Sequence, residues 1–515
     1  MGLASRAVRN AHEVDSLTGW TAPWRGLRVA VLGLGVTGFS VADTLAELGA
    51  HALVLATAAD EQTADMLEVI GVQLILADLQ SPGRNAVNHL DAFGPELVVV
   101  SPGFPPRHPL VAWAAEHRVP VWGDVELAWR LRDKTAAAPW LAVTGTNGKT
   151  TTVQLTAAML TAAGKRVAAC GNVGMPVLDA IRDPTGFDAL VVELSSFQLH
   201  YTHNIAPHAS VCLNVADDHL DWHGSAQAYR AAKAKVYRGT VAACLFNRAD
   251  DATRTMVEDA DVAEGCRAVG FDLGIPAPGD VGVVDGILCD RAFHKDYGRS
   301  AVELIHVDEL AAAGLDSPHM VQNVLAASAL ALSLGTPPGA IRTALGGFRI
   351  DHHRTEVVAA RDGIRWVDDS KATNPHAAHA ALASSPSVVW IVGGLLKGVD
   401  VNHLVQSESG RLRAAVVIGV DRREVLAAFA RHAPALPVFE VDTVDTDQVM
   451  PTAVRLSAAV ARSGDTVLLA PAAASMDQFK NYADRGARFA AAVNEMLGGG
   501  AHDDEPSSPA ASPGR

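Results

Sequence analysis

The stretch AVTGTNGKTTT, residues 142–152, joins a short apolar run to a glycine-rich turn and a helix-like continuation. WLAVTG (140–145) reads as a buried strand, and TTVQLTAAMLTAAG (151–164) as the helix after it, stopped at Gly164. Such a turn gathers backbone N–H groups at a helix N-terminus, where the dipole favours an anion. The usual phosphate loop is written G-x-x-x-x-G-K-[ST]. Counted back from Gly148-Lys149-Thr150, its first glycine would fall at residue 143, which is valine. Gly145 is the nearest earlier glycine, so the loop is tighter. Gly145, Thr146, Asn147, Gly148 and Thr151 would line it, Lys149 would bring a full charge, and Thr150 is placed to ligate Mg2+. The strand–loop–helix order points to a nucleotide site in an α/β domain.

The same alternation runs outward in both directions. Upstream, LRVAVLG (27–33) is a strand, VTGFSVADTLAELGA (36–50) a helix, ELVVVSPG (96–103) another strand and GDVELAWRLR (123–132) another helix. A boundary is expected near DKTAAAP (133–139). In the central unit ALVVEL (189–194) and ASVCLNV (209–215) are strands; the helix within 317–335 closes the unit and Pro337-Pro338 end it. IRWVDDS, SVVWIVGG, AAVVIG and TVLLAPA are the strands of a third unit, each followed by helix-like sequence. Three domains are expected: 1–137, 138–349 and 350–498, with mostly parallel sheets. The tail 499–515, rich in Gly, Pro, Ser and charge, is expected to be disordered.

Gly33-Leu34-Gly35-Val36-Thr37-Gly38 follows the first strand and opens a helix, the dinucleotide fingerprint. An NAD site also needs an acidic residue ending the next strand, about 20 residues on. That strand ends at Ala56-Thr57, and Asp60 lies too far past it. Another diphosphate suits the loop better, although a nicotinamide oxidoreductase stays open as a rival. Glu193 ends a strand beside the phosphate loop, where a carboxylate can hold Mg2+. NVADDHLDWHG (214–224) supplies Asp217, Asp218, His219 and Asp221 in the unit of the phosphate loop. AYRAAKAKVY (228–237) puts Lys233 and Lys235 on a helix, and Lys235 reads as solvated. DDSKATNP (368–375), GGLLKG (393–398) and APAAASMDQF (470–479) each follow a strand, so Lys371, Thr373, Lys397 and Ser475 can converge at one crevice suited to a carboxylate.

The chain has 515 residues, 49% hydrophobic, with a net charge of -15, which argues against a general nucleic-acid binder. Five cysteines, none in a C-x-x-C, fit reduced cytoplasmic thiols. The first 16 residues lack the apolar core of a signal peptide, and no run reaches membrane-helix length. A cytoplasmic location without membrane insertion is expected.

TGTNGKTTT, GNVG, VVELSSFQL, NVADDHLDWH, YRAAKAKVY, HHRTE, DDSKATNP, GGLLKG and APAAASMDQFKNYADRG together closely resemble the Mur ligases, over roughly residues 26–498. These are ATP-dependent amino-acid ligases of peptidoglycan precursor synthesis. Within the family the likeness is to members adding D-glutamate to UDP-N-acetylmuramoyl-L-alanine; ligases of another amino acid, or of folate, are the rivals. The resemblance implies a Rossmann-like domain for the UDP moiety, a central ATPase domain and a Rossmann-like domain for the amino acid. It implies that Val143 belongs to the family's loop. Lys149 would cradle the β- and γ-phosphates; Thr150 and Glu193 would hold one Mg2+, and His219 and Lys233 a second. Lys233 matches a lysine carried as a CO2-derived carbamate, an anionic ligand. Asn172 and His219 would contact the muramoyl substrate. Asn323, Arg354 and Asp369 match positions around adenine and ribose. Thr373, Lys397, Ser475 and Tyr482 match positions holding glutamate. Gly33, Gly35, Thr37, Gly38, Ser101, Pro102 and Gly103 would hold the UDP moiety. Two positions depart from the family pattern: Met320 stands where Asn is common, and Ala56-Thr57-Ala58 replaces an Asp-Thr-Arg-like motif.

The implied chemistry is phosphorylation of the alanyl carboxylate by ATP, then attack of the glutamate amine on the acyl phosphate. Carboxylate and ATP repel each other, so catalysis must be positioning plus charge neutralisation. Capture of CO2 needs a neutral amine, which burial favours. Closure of the third domain about a hinge near 347–351 and a monomeric state are expected.

Overall fold

The computed structural model describes residues 11–79, 84–349, 351–443 and 445–498, so the tail 499–515 lies outside the described residues. Three sheets are present. The first comprises β1 (Arg28–Leu32), β2 (His51–Ala56), β3 (Gln73–Leu76), β4 (Leu97–Val100) and β5 (Val121–Gly123), all parallel, in the order β3-β2-β1-β4-β5. The chain reverses its direction of winding between β1 and β4. In open α/β sheets, ligands lodge at such a switch point, beyond the carboxyl ends of the strands.

The second sheet holds β6 (Trp140–Thr144), β7 (Val167–Gly171), β8 (Ala189–Glu193), β9 (Ala209–Cys212), β10 (Ala243–Asn247) and β11 (Arg267–Phe271). It continues through β12 (Val281–Val284), β13 (Ile287–Asp290) and β14 (Val302–His306), in the order β14-β13-β12-β11-β10-β9-β6-β8-β7. Only β12-β13 and β13-β14 pair antiparallel. β6 is fully buried between β8 and β9, which explains its unbroken apolar run. Pro337-Pro338 do stop a helix, but Pro338 is also the first residue of the next one, Pro338–Gly347, which packs on the helix Lys149–Ala162. Proline suits that first turn, where its missing N–H has no intrahelical partner in any case. So the central unit runs on past the prolines.

The third sheet holds β15 (Glu356–Arg361), β16 (Ile364–Asp368), β17 (Val388–Gly393), β18 (Leu412–Ile418), β19 (Val438–Glu440) and β20 (Thr466–Leu469). Their order is β15-β16-β20-β17-β18-β19, with β15 alone antiparallel. By contacts the chain divides into two compact units. The first two sheets share one, residues up to Asp217 with Trp222–Arg349; the other holds Asp218–Asp221 and the chain from residue 350.

Inside the first unit the two sheets are tied by charge. Arg182 reaches Asp43 Oδ2 at 2.5 Å, Thr44 Oγ1 at 2.9 Å and Glu47 Oε2 at 3.0 Å, while Ser40 donates to Asp179 at 2.6 Å. The segment before β1 is also built in. Val14, Leu17 and Trp24 are buried, and Trp24 meets Trp122 edge-on at 6.4 Å. Arg130 lies 4.0 Å over the Trp122 ring, pairs with Glu126 at 2.8 Å and donates to Asp15 O at 2.6 Å and Leu17 O at 3.3 Å. No described helix is long and apolar enough to cross a membrane.

Candidate active site

The loop Gly145–Gly148 links β6 to the helix Lys149–Ala162. Its glycines are forced. Gly145 has φ 152°, and Gly148 has φ 84°, a left-handed geometry in which a Cβ would stand 2.4 Å from Asn323 Oδ1. Asn214, just past β9, fixes the loop: its O accepts from Thr146 N and its Oδ1 from Asn147 N, both at 2.9 Å. Thr146 Oγ1 meets the buried Tyr229 hydroxyl at 3.0 Å. Lys149 Nζ donates to Gly145 O and Thr146 O at 2.9 Å each. Lys233 Nζ donates to the same Gly145 O at 2.7 Å, 4.7 Å from the centre of the Tyr229 ring. Lys233 is only 2% exposed. Two lysine ammonium groups therefore meet at one carbonyl.

Glu193 ends β8, in register with Val143 of β6, and is 1% exposed. Its Oε1 accepts from Asn172 Nδ2 at 3.0 Å, while its Oε2 is buried without a hydrogen-bond partner. A buried carboxylate oxygen without a donor is costly unless something fills the place. Thr150 is buried too, and the Thr151 hydroxyl likewise lacks a partner. Hard oxygen donors beside a phosphate loop suit Mg2+. Gly171 must be glycine: its Cβ would strike Glu193 O at 2.3 Å. Asn172 N donates to that same oxygen at 2.9 Å, so β7 and β8 bring Asn172 and Glu193 together.

In the first sheet, the Gly33–Gly38 loop and Ser101-Pro102-Gly103 follow β1 and β4, the two strands flanking the switch point. They touch: Ser101 Oγ donates to Gly33 O at 3.4 Å, and a Cβ on Gly38 would lie 2.1 Å from that oxygen. A Cβ at Gly35 would meet nothing within 4 Å, and Thr37 is half-buried in the helix that Gly35 starts. Asp60 is engaged as a helix cap: it starts the helix Glu61–Val69 by accepting from Thr63 N and Thr63 Oγ1, each at 2.8 Å. Met320 is buried, and its sulfur accepts from Asn323 Nδ2 at 3.7 Å.

Two placements differ from the sequence reading. Lys235 is not solvated: it sits in a 3-10 turn and its Nζ donates to His200 O at 2.5 Å and Thr202 O at 3.3 Å. Burial lowers its pKa. His219 does not group with the phosphate loop's unit but with the C-terminal one. The cause is its neighbour Asp218, which receives Lys397 Nζ at 2.6 Å in a buried ion pair. His219 itself has φ 54°, and its Nε2 is 3.6 Å from Asp218 Oδ2.

In the C-terminal unit the loops after β16, β20 and β17 lie on three adjacent strands. Arg485, fully buried, joins two of them, donating to Ser370 Oγ at 2.9 Å, Ser370 O at 2.8 Å and Ala473 O at 3.1 Å. Asp369 Oδ1 accepts from Thr355 N at 3.1 Å, next to Arg354, in a turn where His353 and Thr355 both have positive φ. Burial pushes the Asp369 carboxyl up to about 7. Ser475 is buried, Thr373 N donates to Lys371 O at 2.8 Å, and Lys371 Nζ lies 3.8 Å over the Tyr482 ring. Lys397 has φ 57°, a strained conformation for a non-glycine residue.

Sequence reasoning passed over Asn214, Tyr229 and Arg485. Tyr229 stands four residues before Lys233 on one helix, so their meeting was readable from spacing. Asn214 follows the strand adjacent to β6, which needs the strand order. Nothing in the local sequence marks Arg485.

Comparison with known proteins matches residues 27–123 to the Mur ligase MurD-like N-terminal domain, 143–331 to the Mur ligase middle domain and 353–473 to the Mur ligase glutamate ligase domain. The chain is 62% identical to the UDP-N-acetylmuramoylalanine--D-glutamate ligase of Leifsonia xyli, over 95% of this chain and 96% of that one. It is 52% identical to the ligase of the same name from Streptomyces avermitilis, over 92% and 99%. Among solved structures it resembles the UDP-N-acetylmuramate-alanine ligase MurC of Thermotoga maritima, with TM-score 0.52, 18% identity and coverage of 92% and 100%. It also resembles a pseudomurein peptide ligase type C from Methanothermus fervidus, with TM-score 0.54, 16% identity and coverage of 92% and 100%. These two show the shared fold.

Proposed function

The chain belongs to the Mur ligase family, and from that premise we propose that it joins D-glutamate to UDP-N-acetylmuramoyl-L-alanine with cleavage of ATP to ADP and phosphate. It is an ATP-dependent, amide-forming ligase of peptidoglycan synthesis. The observation that carries the reading at the site is the meeting of Lys149 and Lys233 at Gly145 O, in the loop just past β6, whose neighbour β8 ends in the orphaned carboxylate of Glu193.

An alanyl carboxylate oxygen attacks the γ-phosphorus of ATP; the new O–P bond forms as the bond to the bridging oxygen breaks and ADP leaves. The glutamate amine then attacks the acyl carbon, phosphate departs and the nitrogen loses a proton. Lys149 turns from the loop carbonyls to the β- and γ-phosphates, trading neutral acceptors for charged ones. Thr150 and Glu193 would hold Mg2+, which would supply positive charge against the phosphates. A second ion would be held by His219 and by Lys233, the latter as a carbamate formed with CO2. A carbamate nitrogen keeps one N–H, so the bond from Lys233 to Gly145 O survives the change. Asn172 orients Glu193 and borders the muramoyl substrate. Gly33, Gly35, Thr37, Gly38 and Ser101-Pro102-Gly103 hold its UDP part. Asn323, Arg354 and Asp369 hold the adenosine. Thr373, Lys397, Ser475 and Tyr482 hold the glutamate, with the Asp218 carboxylate holding Lys397 in place. The first domain, 1–137, takes the UDP part; 138–349 takes ATP; 350–498 takes the amino acid. The enzyme works as a cytoplasmic monomer.

Phosphate release is the test. UDP-N-acetylmuramoyl-L-alanine with ATP and D-glutamate gives phosphate and a product heavier by one glutamyl residue; L-glutamate gives neither. Equal turnover with another amino acid, or none with D-glutamate, overturns the assignment.

A further inference from the structure

We propose that Cys244 and Cys266 form a modification site, a dithiol that closes to an intramolecular disulfide when the chain meets a hydroperoxide. Their sulfur atoms are 3.8 Å apart, the one sulfur–sulfur contact among the described residues. Cys244 lies on β10, buried, with its sulfur also 3.8 Å from Ser210 Oγ. Cys266 is half-buried in the turn just before β11, its amide donating to Ala263 O at 3.1 Å. In the parallel register Ala243 faces Arg267 and Cys244 faces Ala268, so Cys266 is the diagonal neighbour of Cys244. Closing the gap to the ~2.0 Å of a disulfide needs side-chain rotation and a small shift of the 263–266 turn. That turn can give: Glu264 and Gly265 are exposed, and Gly265 has open space where a Cβ would be.

The two thiols are not equivalent. The Cys266 thiol is held below its ordinary range by the S–H bond it receives from Cys244, helped by the neighbouring Arg267. The same bond, with burial, holds Cys244 well above. Cys266 is half-buried while Cys244 is buried, so a peroxide reaches the Cys266 sulfur first, and the thiolate there is the nucleophile. Its sulfur attacks a peroxide oxygen: an S–O bond forms, the O–O bond breaks, and water leaves after protonation. Cys244 sulfur then attacks the sulfenic acid; the S–S bond forms, the S–O bond breaks, and the Cys244 proton leaves with the second water. Two electrons pass from the thiols to the peroxide. Neither cysteine takes part in the ligation, so the proposal stands apart from it.

The full-length chain is treated with excess hydrogen peroxide, blocked with N-ethylmaleimide, digested without reductant and mapped by mass spectrometry. The expected result is a peptide pair linked through Cys244 and Cys266, and loss of two of the five free thiols, both reversed by dithiothreitol. Cys244→Ser leaves Cys266 as a sulfenic acid trapped by dimedone; Cys266→Ser gives no link, with ligase turnover retained. A wild-type map in which Cys266 goes to sulfinic acid unlinked, or in which the link joins other cysteines or two chains, overturns the proposal whatever the variants do.

Discussion

Asp124→Asn should change how the stability of the first unit responds to pH. Asp124 opens the helix Asp124–Leu131 and is 3% exposed. Its Oδ2 accepts from Gln198 Nε2 at 3.1 Å, while its Oδ1 is buried without a partner. Burial pushes this carboxyl from 3.8 up to about 6. A raised acid pKa means the folded chain binds the proton more tightly than the unfolded one. The resulting stabilisation is complete below the unfolded value of 3.8 and is lost as the pH rises through about 6. The gap between those values, at about 1.4 kcal/mol per pH unit, amounts to about 3 kcal/mol. Asn cannot titrate, yet its Oδ1 can still accept from Gln198. The variant will carry a fixed offset, because its amide N–H groups sit where Oδ1 of Asp124 has no partner. The offset cancels when variant and wild type are compared across pH. Urea melts between pH 4 and 7, a window that opens just above the unfolded value, should show the variant-minus-wild-type difference rising by about 2.4 kcal/mol, or about 0.8 M in midpoint at a slope of about 3 kcal/mol/M. A difference that stays flat across that window would refute the burial argument.

Gly148→Ala places a Cβ in a left-handed conformation and against Asn323 Oδ1, 2.4 Å away; about 1–2 kcal/mol of backbone strain plus displacement of Asn323 should raise the KM for ATP by about tenfold or more, and an unchanged KM would remove Asn323 from the adenine site. Lys233→Ala should be inactive and partly restored by short carboxylic acids, read by phosphate release; near-normal activity without them ends the carbamate reading. Lys397→Ala should raise the KM for D-glutamate by about tenfold or more, with a smaller change in kcat, about 1.4 kcal/mol of lost binding; unaltered glutamate kinetics would exclude it from the pocket.

The fold class was legible because strands such as β6 and β17, buried on both faces, are unbroken apolar runs with glycine turns at their carboxyl ends. β10 to β14 escaped notice: ACLFN, VGVV and ILCD are short, mixed in polarity and carry no motif. Prolines 337 and 338 misled because a residue that stops one helix also starts another. At the site, Gly148-Lys149-Thr150 stood out as the turn that opens the helix after β6, and Glu193 as the end of a strand. Lys235 did not, because whether a helix lysine faces water or the carbonyls of His200 and Thr202 depends on what packs beside it. The partnership of Asp218 with Lys397, 179 residues apart, belongs to tertiary structure alone.

The built-in segment ahead of β1 has a practical bearing on anyone shortening this protein. Likeness to the family begins at residue 27, an inviting place to start a truncated version. Cutting there would strip Val14, Leu17 and Trp24 from the Trp122 wall and take from Arg130 two of its carbonyl acceptors. Arg130 would keep Glu126 but lose those carbonyls, and the uncovered indole beneath it would make such a fragment sticky and poorly folded, so the smallest well-behaved version should begin ahead of residue 11.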